Sequence, residues 1–205
     1  VSSGAIGMGV GKLNLPGKPS DMPTKQAAAA VGQCELMYTY DKLFLQYNHT
    51  VAQVLLTGED VDHPERRENF ENTMERLLEL GALPVINEND TIATAEIKVG
   101  DNDTLGAIVA CCTKADLLVL LSDIEGLYTA DPRKDPDAKL IPTVEEVTPE
   151  IEALAGGVGS SLGTGGMATK LRAAKMVTAQ GCDMVITNGE HPERLYDIAE
   201  GKDVG

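Results

Sequence analysis

Short apolar runs and longer helix-patterned stretches alternate along this chain from one end to the other. That alternation points to a mainly parallel sheet covered on both faces by helices. The runs at 50–57 (TVAQVLLT), 83–87 (LPVIN), 117–122 (LLVLLS) and 183–187 (DMVIT) are bounded by polar turns and too short for helices, so all four read as central strands. Between them, helical spacing of Leu36 and Leu43, and of Met74, Leu77 and Leu78, predicts helices over 25–47 and 65–80. Further helices are expected over 104–114, 167–180 and 192–200, with Gly81 and Gly181 placed as C-caps. The stretch 123–149, rich in prolines and acids, reads as irregular surface structure with a short strand near Leu140 and Ile141. The opening residues Val1-Ser2-Ser3-Gly4 look like the end of a buried strand entering a turn, which implies a preceding segment.

A length of 205 residues suits a single domain with a sizeable core. The net charge of −15 makes the overall field repel nucleic acid and anionic membrane surfaces, so an anionic ligand would need locally focused lysines. Neither nucleic acid nor a membrane is expected as a partner. Cys34, Cys111, Cys112 and Cys182 lack the C-x-x-C and histidine spacing of a metal site and read as reduced core thiols. With no apolar run of membrane-spanning length and no signal pattern, the expected location is cytoplasmic.

In open α/β sheets ligands bind beyond the carboxyl ends of the strands. Here those ends lead into Ser2-Ser3-Gly4-Ala5, Glu88-Asn89-Asp90, Ser122-Asp123 and Asn188-Gly189. The stretch Gly163-Thr164-Gly165-Gly166-Met167-Ala168-Thr169-Lys170 puts three glycines and two hydroxyls around the start of a predicted helix, with a lysine one turn inside it. Glycines admit close backbone approach, helix-start N–H groups attract anions, and the lysine supplies a point charge; together they suit a nucleotide polyphosphate. The plain alternative is a flexible loop capping a helix.

Two further clusters, Asn87-Glu88-Asn89-Asp90 and Gly100-Asp101-Asn102-Asp103, flank a candidate β-hairpin over 91–99. Carboxylates that take up an ammonium and amides that donate to a carboxylate suit a zwitterionic ligand, although two Asx-rich turns would need none. Ser122-Asp123 reads equally as a turn cap or as a nucleotide contact.

These motifs, with Gln26-Ala27-Ala28-Ala29-Ala30-Val31-Gly32-Gln33 and Gly126-Leu127-Tyr128-Thr129-Ala130-Asp131-Pro132, resemble the amino acid kinase family over essentially the whole chain. The paired Asn-Glu-Asn-Asp and Gly-Asp-Asn-Asp motifs resemble the branch that acts on glutamate. The resemblance implies a three-layer αβα sandwich that phosphorylates the γ-carboxylate of L-glutamate with ATP and Mg²⁺, the first step toward proline. It places L-glutamate against Ser3, Asp90 and Asn102. It places ATP against Ser122, Asp123, Thr164, Gly165, Gly166, Met167, Ala168, Thr169 and Lys170. Lys170 is then the catalytic lysine on the β- and γ-phosphates, Asp103 the aspartate that orients catalytic lysines, and Mg²⁺ is held mainly by phosphates and water.

Family members also carry an upstream strand with a second phosphate lysine and, in many cases, a carboxy-terminal RNA-binding-like domain; neither has a counterpart in these residues. The resemblance further implies a homo-oligomer, feedback inhibition by proline and a downstream glutamyl phosphate reductase. Sister kinases for aspartate, acetylglutamate, carbamate or a nucleoside monophosphate remain alternatives, as does a nucleotide-binding module without turnover.

Overall fold

The computed structural model describes residues 1–93, 101–155, 166–202 and 204. The chain forms two compact units, Val1–Leu105 and Gly106–Gly205.

In the first unit, Ser2 donates its backbone N–H to the Ile86 carbonyl at 2.9 Å. Gly4 then adopts a left-handed conformation (φ 103°) and the chain enters α1 (Ala5–Lys12). A loop leads to α2 (Met22–Phe44), whose start is capped by Asp21, accepting from the Thr24 N–H at 2.9 Å, with proline in the first turn. The two helices touch backbone to backbone. A Cβ on Gly9 would lie 1.8 Å from the Ala28 carbonyl oxygen, and one on Gly32 would lie 1.6 Å from that of Ala5. No other residue fits either crossing, so glycine inside a helix here serves packing.

A 3-10 turn (Leu45–Tyr47) leads into β1 (Thr50–Leu56), followed by α3 (Gly58–Asp62), α4 (Pro64–Glu79) and β2 (Ala82–Glu88). β1 and β2 pair in parallel from Thr50↔Ala82 to Leu56↔Glu88, a strand–helix–strand crossover. Gly81, at φ 72°, makes the turn out of α4.

The helix α5 (Asn102–Thr113) leads into the second unit, where β3 (Leu117–Ser122) pairs in parallel with a later strand. In between come β4 (Leu127–Tyr128), β5 (Leu140–Ile141), α6 (Pro149–Leu154) and α7 (Met167–Thr178). Then follow β6 (Asp183–Asn188), the partner of β3 from Leu117↔Asp183 to Ser122↔Asn188, and α8 (Arg194–Ala199). Ala107 and Ala110 of α5, Leu120 of β3, Ala173 and Val177 of α7, and Cys182 form one buried cluster. Its small residues let the helices approach the β3–β6 pair closely.

The four expected strands are β1, β2, β3 and β6, paired two and two in parallel, so the α/β class holds. They are less enclosed than central strands would be, since Gln53 on β1 and Leu117 and Leu121 on β3 are exposed. The Gly81 and Gly181 caps hold, both at positive φ. Three readings need correction. Val1 is half exposed (50%) rather than the end of a buried strand. The stretch 123–149 contains an antiparallel β4–β5 ladder, not only β5, because Leu127 and Tyr128 find partners in Ile141 and Leu140. Cys34 lies on the exposed face of α2, whereas Cys112 and Cys182 are buried; none of the four is joined in a disulfide. Among the described residues no helix is long and apolar enough to cross a membrane.

Candidate active site

The first cluster grows from the end of β2. Val85 and Ile86 anchor the strand in the core, and the chain keeps its buried course through Asn87 (4% exposed) and Glu88 (6%). Asn89 extends the parallel pairing by donating its N–H to the Leu56 carbonyl at 2.7 Å. Burying two polar side chains in succession is costly unless each is bonded. Asn87 meets that need by accepting at Oδ1 from the Glu88 backbone N–H at 2.9 Å and donating Nδ2 to Gln33 Oε1 at 3.0 Å.

Asp101 stands at the start of α5 and accepts from the Thr104 N–H at 2.7 Å and the Thr104 hydroxyl at 2.9 Å, so its part is that of a cap. The cap sets the direction in which Asn102 and Asp103 leave the helix start. Asn102 Nδ2 reaches Asn87 Oδ1 at 3.4 Å, which joins the two acidic-amide motifs of the sequence in space. Asp90 and Asp103 are half-buried and each takes part in polar interactions within the protein. Ser3 is exposed just before α1, and its neighbour Ser2 accepts at Oγ from the Tyr40 hydroxyl at 3.0 Å. The hairpin expected over 91–99 lies largely outside the described residues; within them, Ile92 and Ala93 fold back onto the Asn89 carbonyl.

The second group comprises the start of α7 and the ends of β3 and β6. Gly166 is the N-cap of α7, and no side chain caps that start. The Thr169 hydroxyl donates to the Gly166 carbonyl at 2.6 Å. Lys170, in the first turn, is only 7% exposed and is engaged in interactions within the protein. A lysine so buried is rare, and at a helix start it brings positive charge to where the backbone dipole already favours an anion. Thr164 and Gly165 lie outside the described residues.

Ser122 closes β3, and its carbonyl accepts from the Gly189 N–H at 2.8 Å, tying the ends of β3 and β6 together. Asp123 is paired with Arg133 at 2.6 Å on an open surface. The Arg133 guanidinium holds the Asp123 carboxyl below the usual carboxylate range.

Two residues that sequence reading missed complete this end. Glu125 accepts from Asn188 Nδ2 at 3.0 Å and from the Arg194 guanidinium, while Arg194 also donates to the fully buried Thr187 hydroxyl at 3.2 Å. The Asn188 amide and then Arg194 hold the Glu125 carboxyl low. Nothing in local spacing announces a pair 69 residues apart. Among the described residues no three His, Cys, Asp or Glu side chains converge in a way that would hold a metal ion.

Comparison with known proteins fits this geometry. The model of the amino acid kinase family matches residues 1–188. A glutamate 5-kinase of Clostridium perfringens is 54% identical over 209 residues, covering 100% of this chain and 78% of that protein. The glutamate 5-kinase of Clostridium tetani is 57% identical over 205 residues, covering 100% and 77%. The enzyme of that name from Myxococcus xanthus is 56% identical, and this chain spans 54% of its length. Among solved structures, the isopentenyl phosphate kinase product complex of T. acidophilum matches with a TM-score of 0.62 at 18% identity, over 97% of this chain and 76% of that one. An isopentenyl phosphate kinase substrate complex matches at 0.61 and 19% identity, over 97% and 77%. At those identities the likeness establishes the fold alone.

Proposed function

The chain belongs to the amino acid kinase family, and we propose from that premise how its residues divide the work of a glutamate kinase. The reaction is transfer of the ATP γ-phosphoryl group to the γ-carboxylate of L-glutamate, giving L-glutamyl 5-phosphate, the first step of proline biosynthesis. Residues 1–205 act as one amino acid kinase domain built from two units. The observation that carries the acceptor assignment is the junction of Asn87 and Asn102 at 3.4 Å, which gathers the Asn-Glu-Asn-Asp and Asp-Asn-Asp motifs at one strand end.

Asp90 takes the ammonium of glutamate, Asn102 donates to its α-carboxylate, and Ser3 contributes a hydroxyl at the start of α1. These groups match a zwitterion with one further carboxylate. The γ-carboxylate is already ionised at neutral pH, its free value being about 4.3, so the nucleophile needs no general base. Catalysis then reduces to in-line positioning and charge neutralisation. Lys170 supplies the preorganised positive charge for the β- and γ-phosphates, helped by the loop from Thr164 through Thr169. Ser122 and Asp123 contact the nucleotide at the end of β3, and Asp103 organises the local field.

Magnesium, in this reading, is carried by the phosphates and water. It would supply charge neutralisation on the phosphates. In this reading proline competes with glutamate at the acceptor cluster, the working form is a homo-oligomer, and a reductase consumes the labile acyl phosphate. The test is ADP release with L-glutamate, L-aspartate, N-acetylglutamate, carbamate and a nucleoside monophosphate as acceptors. Glutamate alone should support turnover, with proline raising its apparent KM. Turnover on another acceptor, with glutamate inert, overturns the assignment.

A further inference from the structure

Gln33 is a buried amide (8% exposed) in the middle of α2, and the chemistry of transfer leaves it without a task. Its Nε2 donates to Gln53 Oε1 on β1 at 3.0 Å, and its Oε1 accepts from Asn87 Nδ2 at 3.0 Å. Asn87 must therefore turn Oδ1 the other way, where it accepts from the Glu88 N–H and from Asn102 Nδ2. An amide has one donor end and one acceptor end, so each member of this chain is oriented by the one before it. Reversing Gln33 would set Nε2 against the Asn87 Nδ2 and Oε1 against the Gln53 Oε1. Reversing Asn87 would set its Nδ2 against two donors. α2 contributes this relay because Gln26 and Gln33 lie seven residues apart on one face; Gln26 Nε2 binds the Ala93 carbonyl at 3.4 Å, just past the same cluster.

We propose that Gln33, anchored by Gln53, is a positioning residue for the acceptor amino acid. The relay Gln53–Gln33–Asn87 fixes which way the Asn102 amide faces, and so the orientation in which Asn102 meets the substrate. The proposal rests on the reading that Asn102 contacts glutamate, and the experiment separates the two. In the full chain, Asn102→Ala alone tests that reading. Gln33→Met should raise the glutamate KM about fivefold and leave the ATP KM within about twofold, and this effect should shrink to below about twofold in the Asn102→Ala background. Gln33→Glu keeps an acceptor toward Asn87 but sets its second oxygen against Gln53 Oε1, so it should raise the glutamate KM less than Gln33→Met does.

Should Gln33→Met fail to fold by thermal melting, the surface pair decides: Gln53→Lys sets a donor against Gln33 Nε2 and should raise the glutamate KM about threefold, whereas Gln53→Glu keeps the acceptor and should leave it unchanged. An unchanged KM in both disruptive variants overturns the relay, as do additive effects with Asn102→Ala or an equal rise for ATP. A normal glutamate KM in Asn102→Ala itself overturns the substrate reading, and the relay's role with it.

Discussion

At the end of β2 the oriented groups are neutral amides sunk into the protein, Asn87 at 4% exposure and Gln33 at 8%, each bonded at both ends, beside the carboxylates of Glu88 and Asp90. At the ends of β3 and β6 they are charged pairs at or near the surface, Asp123 with Arg133 and Glu125 with Arg194. Matched amides can be buried at modest cost because only dipoles leave water, whereas buried ions lose far more solvation and tolerate little misfit. The first arrangement suits a small zwitterion that must be held in one orientation. The second suits a larger ligand whose charge is met by a screened field. Lys170 is the exception in the second group, an ion at 7% exposure, and so should behave like the first in its sensitivity.

That exception gives the largest expected effect. Lys170→Ala should lower kcat by at least about 10²-fold, as when a preorganised charge donor is lost, with a smaller change in glutamate KM. Steady-state ADP release measures it, and an unchanged kcat would remove Lys170 from the chemistry.

Next come Asn102→Ala and Asp90→Asn, which should raise the glutamate KM about tenfold while ATP affinity holds, the size expected of one lost buried hydrogen bond or charge pair. Loss of ATP binding with normal glutamate saturation would reverse the roles of the two clusters. A weaker effect is expected at Glu125→Gln, which keeps the contact to Asn188 but removes the charge opposite Arg194. The ATP KM should rise about threefold with glutamate KM unaltered, since a partly exposed pair contributes modestly. A tenfold loss there would mean that the charged end is as finely set as the amide end.

The smallest effect concerns pH. Arg133 lowers the Asp123 carboxyl below its unfolded value, so their pair contributes in full above about pH 4 and is lost only as pH falls through the folded value. Arg133→Met should therefore shift Tm by no more than about 2 °C at pH 7, and by less as pH falls below about 4. A larger shift at the acidic end than at neutrality would contradict the sign of this linkage.

The residues show how far the sequence alone could go. β3 occupies the run 117–122 as expected, and α4 begins at Pro64 and ends before Gly81, because apolar period, a proline start and a positive-φ glycine act within a few residues of one another. α1 escaped notice. Its Gly7, Gly9 and Gly11 argue against a helix by propensity, and only the crossing with α2, where Gly9 and Gly32 admit carbonyls of the opposite helix, makes those glycines an asset. The candidate site divides in the same way. Asp90, Asn102, Asp103 and Lys170 were legible as motifs because their chemistry is written in adjacent letters. Gln33 was legible only as part of a resembling segment, and Glu125 and Arg194 not at all, since their meaning depends on partners 54 and 69 residues away. Periodicity and turn chemistry are local energies that a sequence displays directly. The direction of a buried amide and the pairing of distant ions exist only once the fold has closed and removed water as the competing partner.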